Sequence, residues 1–192
     1  MNATILGDGF PCKPASSVTS HDFFFDGLKN EGNAKNSLGS SVTKGNVMAF
    51  PGLNTQGISM NRIDIDIGGI NPPHSHPRAA EIGVVIQGHV KVGLITTENL
   101  EYSRLMLPGQ IYVVPRGLVH FQLNVGQDKA FIVSAFNSHM PRTYVDGVDL
   151  FCAKPFVPYD VLTKTFHSDQ SVLDNIYKAF PDSKCSSFSS VG

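Results

Sequence analysis

The chain has 192 residues, no tryptophan, three cysteines and few charges, 16% of the total. Each scarcity excludes something. Cys12, Cys152 and Cys185 are an odd set, so at least one has no partner within the chain. Lys and Arg number 15 against 16 Asp and Glu, a formal net charge of −1. No basic excess points to nucleic acid, and no acidic run points to a solvating tail. No apolar run approaches the roughly 20 residues that cross a bilayer. The opening Met1-Asn2-Ala3-Thr4 lacks the apolar core of a secretory signal. The chain is therefore either cytosolic or a secreted protein whose signal has been removed. No internal repeat or low-complexity linker marks a domain boundary, and the length suits one domain with a good core.

Glycine (18) and proline (12) are generous beside many Val, Ile and Phe. That mixture predicts short strands broken by turns, an all-β sandwich or barrel. Residues 1–50 are loop-rich. Asp22-Phe23-Phe24-Phe25 reads as a short apolar anchor and Asn30 to Ser41 as a long surface loop. Strand signals begin near Ile58. In Asn61 to Ile67 apolar residues alternate with charges, which predicts one buried and one wet face. Asn61 shares parity with Ile63, Ile65 and Ile67, so its amide should point inward. Gly68-Gly69 and Pro72-Pro73 are expected to turn the chain. Further strands are predicted at Ile82–Ile86 and Val90–Leu94, a hairpin around Gln87-Gly88-His89, and at Ile111–Val114, Val119–Val125 and Ala130–Phe136. A short helix is expected from Tyr159 to Phe166. A second is expected after an N-cap at Ser168, with Val172, Leu173, Ile176, Tyr177 and Phe180 on one stripe and Pro181 as its stop.

The chemistry concentrates between Gly68 and Asn124. His74 and His76 are separated by one residue, so on an extended backbone both imidazoles point the same way. Glu81 follows across a short bend and adds a carboxylate. His120 lies on a later strand and shares a face with Gln122 and Asn124. Three imidazoles and one carboxylate form a mixed nitrogen and oxygen donor set. It suits Mn, Fe, Zn, Ni or Cu and lacks the thiolates that select an iron–sulfur cluster. In octahedral coordination two positions stay open, which separates a catalytic site from a closed structural one.

The spacing also carries a resemblance. Gly68, five residues, His74-x-His76, four residues, Glu81, six residues, Gly88 is similar to the first cupin motif. Gly109, five residues, Pro115-x-Gly117, two residues, His120, three residues, Asn124 is similar to the second. Pro-Gly-Leu-Asn-Thr-Gln-Gly-Ile-Ser (51–59), Asn71-Pro72-Pro73-His74, Pro115 to Gly126 and Asp160 to Lys164 resemble the plant germins and germin-like proteins. The likeness runs from about Gly9 to Phe180.

The resemblance implies a jelly-roll β-barrel with C-terminal helices. It divides the chain into an N-terminal arm packed on the barrel (1–50), the barrel (51–157), the helices (158–181) and a mobile tail (182–192). It implies Mn²⁺ on His74, His76, Glu81 and His120, secretion to the plant cell wall as a glycoprotein, and a hexamer of three dimers joined through the helices. Asn2-Ala3-Thr4 fits a glycosylation acceptor. The implied substrate is small: superoxide, oxalate or another metabolite. Germins oxidise oxalate with dioxygen, and many germin-like proteins dismutate superoxide. Asn61 and Asn71 match two asparagines that hold oxalate in germins, although Asn71 before Pro-Pro also reads as a turn residue. Superoxide dismutation leads here. Oxalate oxidation, a recruited non-redox pocket enzyme and a non-catalytic small-molecule binder are the alternatives. Three features depart from the germin pattern. The cysteine that pairs with Cys12 in the family lies upstream of Met1, so either that segment was cut away, or Cys12 is free, or it pairs with Cys152 or Cys185. Cys152 stands where the family commonly has Gly, and Pro141-Arg142-Thr143-Tyr144 replaces a small-residue turn near the barrel mouth.

Overall fold

A computed structural model of the chain describes residues 6–7, 10–181 and 185. The Asn2 acceptor and, apart from Cys185, the tail from Asp182 to Gly192 lie outside the described residues. The strands run β1 (Leu6–Gly7), β2 (Phe10–Pro11), β3 (Ser40–Gly45), β4 (Ser59–Ile65), β5 (Ile70–Ser75), β6 (Glu81–Gln87), β7 (Val90–Ile95), β8 (Glu101–Met106), β9 (Ile111–Val114), β10 (Val119–Asn124), β11 (Ala130–Phe136) and β12 (Tyr144–Val145). The helices α1 (Asp146–Phe151), α2 (Tyr159–Phe166) and α3 (Gln170–Ala179) follow.

Two five-stranded sheets face each other, in the orders β12-β5-β10-β7-β8 and β3-β4-β11-β6-β9, while β1 and β2 pair apart. This is the jelly roll with C-terminal helices that the sequence implies. Apolar residues from both sheets meet between them: Ile63, Ile65, Val85 and Ile132 from one, Val90, Val92 and Met106 from the other. The β6–β7 turn needs glycine. Gly88 has φ +87°, and a Cβ there would stand 2.7 Å from Ala130 Cα. His89 beside it is exposed.

Several local expectations give way to the tertiary structure. Pro72-Pro73 does not turn the chain but lies inside β5. Pairing with β10 shifts between His120↔His74 and Gln122↔Asn71, so the prolines occupy an irregularity in the ladder, where the missing N–H costs little. The loop expected from Asn30 to Ser41 ends earlier, because Ser40 and Ser41 open β3 against Ile65 and Asp64. The face of β4 expected to be wet is covered at Asp64, while Met60 on the same face is exposed. Asp64 is buried, accepts a hydrogen bond from Gly32 N at 2.8 Å and receives Arg62 Nε and Nη2, each at 2.8 Å. The N-terminal segment therefore lies over that face, and a bidentate ion pair satisfies the charge beneath it. Of the three phenylalanines, Phe23 and Phe24 are exposed, and Phe25 alone anchors, stacked on Phe50 at 5.3 Å. Strands β3 and β8 and helix α1 go unread in the sequence. Five of the six residues of β8 are exposed, which hides its period. The residue capping α3 is Asp169 rather than Ser168.

Cys152 and Cys185 form a disulfide, and Cys12 is an exposed free thiol. The bridge ties the end of α1 to a residue beyond α3. It encloses a second apolar cluster built on Phe151, Leu162 and Leu173.

Candidate metal centre

His74 ends the irregular part of β5, and His76 follows that strand by one residue. Glu81 opens β6 in the opposite sheet, and His120 lies on β10 directly across from His74. The four predicted ligands thus come from both sheets to one point. Their donor atoms all lie within 4.8 Å of one another, and all four side chains are buried. Ring centroids of His74 and His120 are 4.1 Å apart, and Phe136 packs edge-on against His76 at 4.7 Å.

Hydrogen bonding fixes what these side chains offer. His74 Nδ1 lies 2.7 Å from Pro72 O, His76 Nδ1 2.7 Å from Arg142 O and His120 Nδ1 3.0 Å from Leu118 O. A carbonyl only accepts, so each Nδ1 carries the hydrogen and donates. A neutral ring so oriented leaves Nε2 as a bare lone pair. Glu81 Oε2 stands 3.0 Å from His76 Nε2 and 3.2 Å from His120 Nε2. The His76 contact is too poorly aligned for a hydrogen bond, and that buried nitrogen has no partner. At His74 burial, then the neighbouring His120 and His76, pull the pKa down to about 3. Burial alone would push the Glu81 carboxyl up, but hydrogen bonding from His120 and charge from His120 and His76, with a proton on Nε2, hold it well below the usual carboxylate range, and a cation would take the place of those protons. Lone pairs converging on an ionised carboxylate fit a cation between them. The residues suit a first-row divalent ion, with the backbone carbonyls orienting each ring.

The other oxygen of Glu81 is pinned by residues the sequence does not reveal. Ser134 Oγ donates to Oε1 at 2.7 Å and Tyr112 Oη at 2.9 Å. Gln122 Nε2 donates to Tyr112 Oη at 3.2 Å, and Asn71 Nδ2 donates to Gln122 Oε1 at 2.7 Å. Burial and then the Glu81 charge push the Tyr112 phenol well above its ordinary pKa, so it stays a donor. The ring crosses Gly83, where a Cβ would meet it at 2.2 Å. Only the shared face of His120 and Gln122 signalled this chain in the sequence. Tyr112→Phe should remove one Oε1 donor and leave Gln122 with an unpaired N–H. Metal affinity should fall about tenfold, measured by chelator competition, with the barrel's circular dichroism unchanged.

A cavity of roughly 350 Å³ opens beside the cluster, lined by His74, His76, Glu81, Asn61, Asn71 and Phe136 among others. Asn61 is buried, as its parity predicts, and its Oδ1 has no hydrogen-bond partner. Asn71 also faces the cavity, but its amide nitrogen is committed to Gln122.

Comparison with known proteins agrees with this geometry. The cupin family profile matches residues 26–174. Germin-like protein subfamily T member 2 of Arabidopsis thaliana is 50% identical over 173 residues, covering 90% of this chain and 78% of the relative. Germin-like protein 1-1 of Oryza sativa subsp. japonica is 51% identical over 173 residues, covering 90% and 79%. The solved structure of a recombinant oxalate oxidase in complex with glycolate superposes with a TM-score of 0.89 at 40% identity, covering 94% of this chain and 91% of that one. With both cupin motifs converging on one buried donor set, the chain belongs to the cupin family and, within it, to the germin-like proteins.

Proposed function

We propose that the protein is a secreted, manganese-dependent oxidoreductase of oxygen chemistry, with superoxide dismutation as its reaction. The observation that carries this is the arrangement of three Nε2 lone pairs and an ionised carboxylate around one point, open to a cavity on one side. A redox-active ion held there supplies reversible one-electron transfer. The chain's own part is to hold the geometry and the charge. Three neutral imidazoles and one carboxylate give a donor set of charge −1, so a divalent ion keeps a net positive charge that attracts small anions. The carbonyls of Pro72, Leu118 and Arg142 stop the rings from turning. Tyr112 and Ser134 fix Glu81 through their hydrogen bonds to Oε1. Manganese is chosen on the germin likeness, since the donor types suit several ions.

Oxalate oxidation is the second reading. It is favoured by the likeness to the oxalate oxidase and by Asn61 and Asn71 on the cavity wall. The engagement of Asn71 weakens it, because its amide nitrogen, the group that would donate to a carboxylate, is already bonded to Gln122. The disulfide supports secretion, since such bonds persist in oxidising compartments. Exposed apolar residues on and beside β8 and β9, among them Tyr102, Leu105, Ile111 and Val113, support assembly into dimers and then a hexamer. Among the described residues no helix is long and apolar enough to cross a membrane.

The deciding experiment takes metal-quantified protein and follows superoxide loss, and separately oxygen uptake with oxalate. Metal-proportional superoxide loss without oxalate-driven uptake supports dismutation. Uptake with matching peroxide release moves the assignment to oxalate. Protein that holds no metal overturns both.

A further inference from the structure

The cavity beside the metal cluster holds a cation that neither redox reading uses. Lys44 on β3 pairs directly with Asn61 on β4. Directly opposed residues of an antiparallel ladder share a face, so Lys44 points inward as Asn61 does. Both line the cavity with His74, His76 and Glu81. An inward lysine on an edge strand has an ordinary use, to discourage pairing with another chain. That use asks only for a charge at the edge and leaves the surroundings of this one unexplained. The ion pairs among the described residues belong to other cations, and none reaches Lys44. Glu81 is the one carboxylate on the cavity wall, and it faces the imidazoles. Asn33, Asn36, Ser41 and Thr143 nearby are neutral. Arg142 stands close enough to repel the ammonium and adjoins, with Lys44 and Asn61, a side recess of the same region. A half-buried cation without a counter-charge is costly unless an anion covers it.

We infer that Lys44 is an anion subsite, and that the cavity takes an organic diacid longer than oxalate, one carboxylate at the metal cluster and the other on Lys44. The volume, roughly 350 Å³, falls within the range of about 300–1,000 Å³ usual for small organic ligands and far exceeds the needs of a diatomic anion. The inference rests on the metal reading for the first carboxylate, while Lys44 alone carries the second. It also gives a role to Arg142, which stands where germins have a small-residue turn. Its backbone holds His76 and its side chain keeps the mouth positive.

The test is calorimetric titration of metal-quantified protein with malonate, succinate and glutarate, each against the monoacid of equal carbon number. At least one diacid should bind about tenfold or more tightly than its monoacid, as a charge-assisted contact provides. Added salt should narrow the gap. Lys44→Met should bring the pair within about twofold while monoacid binding holds, and Lys44→Arg should retain the preference. A wild type with no diacid preference, or a preference that survives Lys44→Met, overturns the inference. Metal analysis of the same samples separates the two failures: full metal with no Lys44 effect sinks the subsite alone, whereas absent metal sinks the metal centre itself.

Discussion

His120→Ala should purify with less than about a tenth of the wild-type metal and show no redox activity. Its ring is fully buried at the junction of the sheets, 4.1 Å from His74 by centroid and with Nε2 3.2 Å from Glu81 Oε2. No neighbouring side chain can replace the donor, because Gln122 and Tyr112 are already engaged with each other. The loss is larger than one ligand's share. Removing His120 also removes one of the two rings that lower the Glu81 pKa, and it opens a void beside His74. A ligand that merely filled space would behave differently, leaving metal content intact and lowering only stability. Metal analysis by mass spectrometry, with thermal unfolding of the metal-free proteins as the control, separates these cases. His120→Ala with full metal would show that the donor set is not the one assigned.

The four ligands were legible because each motif lies on a short, extended piece of chain. His-x-His on an extended backbone needs only local geometry, and the parity of His120 with Gln122 and Asn124 announces a polar inward face. That face is buried on all three residues. Asn61 was legible for the same reason. Its inward amide breaks an otherwise apolar parity, and the barrel buries it. What stayed hidden depends on elements far apart in sequence. Tyr112 and Ser134 reach Glu81 from β9 and β11, which flank β6, and no local pattern marks a tyrosine between Ile111 and Val113 as a partner of a carboxylate. Likewise Asp64 reads as a solvated charge until residues near Gly32 fold over it. The same limit applies to Lys44. Its meaning appears only once β3 is paired with β4, and β3 itself was unread because its Ser, Thr and Gly resemble the preceding loop.

Reducing the Cys152–Cys185 disulfide, or replacing both cysteines by serine, should destabilise the helical unit by about 3–4 kcal/mol and leave the metal centre in place. The bridge closes a loop of 33 residues, and the chain-entropy model assigns a loop of that size a value in this range. The loop contains α2 and α3, whose Leu162 and Leu173 pack on Phe151 of α1. Tyr159 Oη donates to Asp174 at 2.8 Å and Tyr177 Oη to Val157 O at 3.3 Å, but both bonds lie within the unit. The link to the barrel runs through α1, which follows β12 without a break. Without the bridge the helices should still form, held by their cluster, yet open far more often. Hydrogen exchange should report this as a loss of protection on the order of a hundredfold in α2 and α3. Exchange in β5, β6 and β10 and the metal content should be unchanged. If the barrel strands lost protection equally, the helices and barrel would form one cooperative unit, with the disulfide holding the metal site as well. If nothing changed, the apolar cluster alone would account for the docking. The expected split gives the bond a specific consequence. In a reducing compartment the protein would keep its barrel and the buried donor set and lose the rigidity of its helical surface.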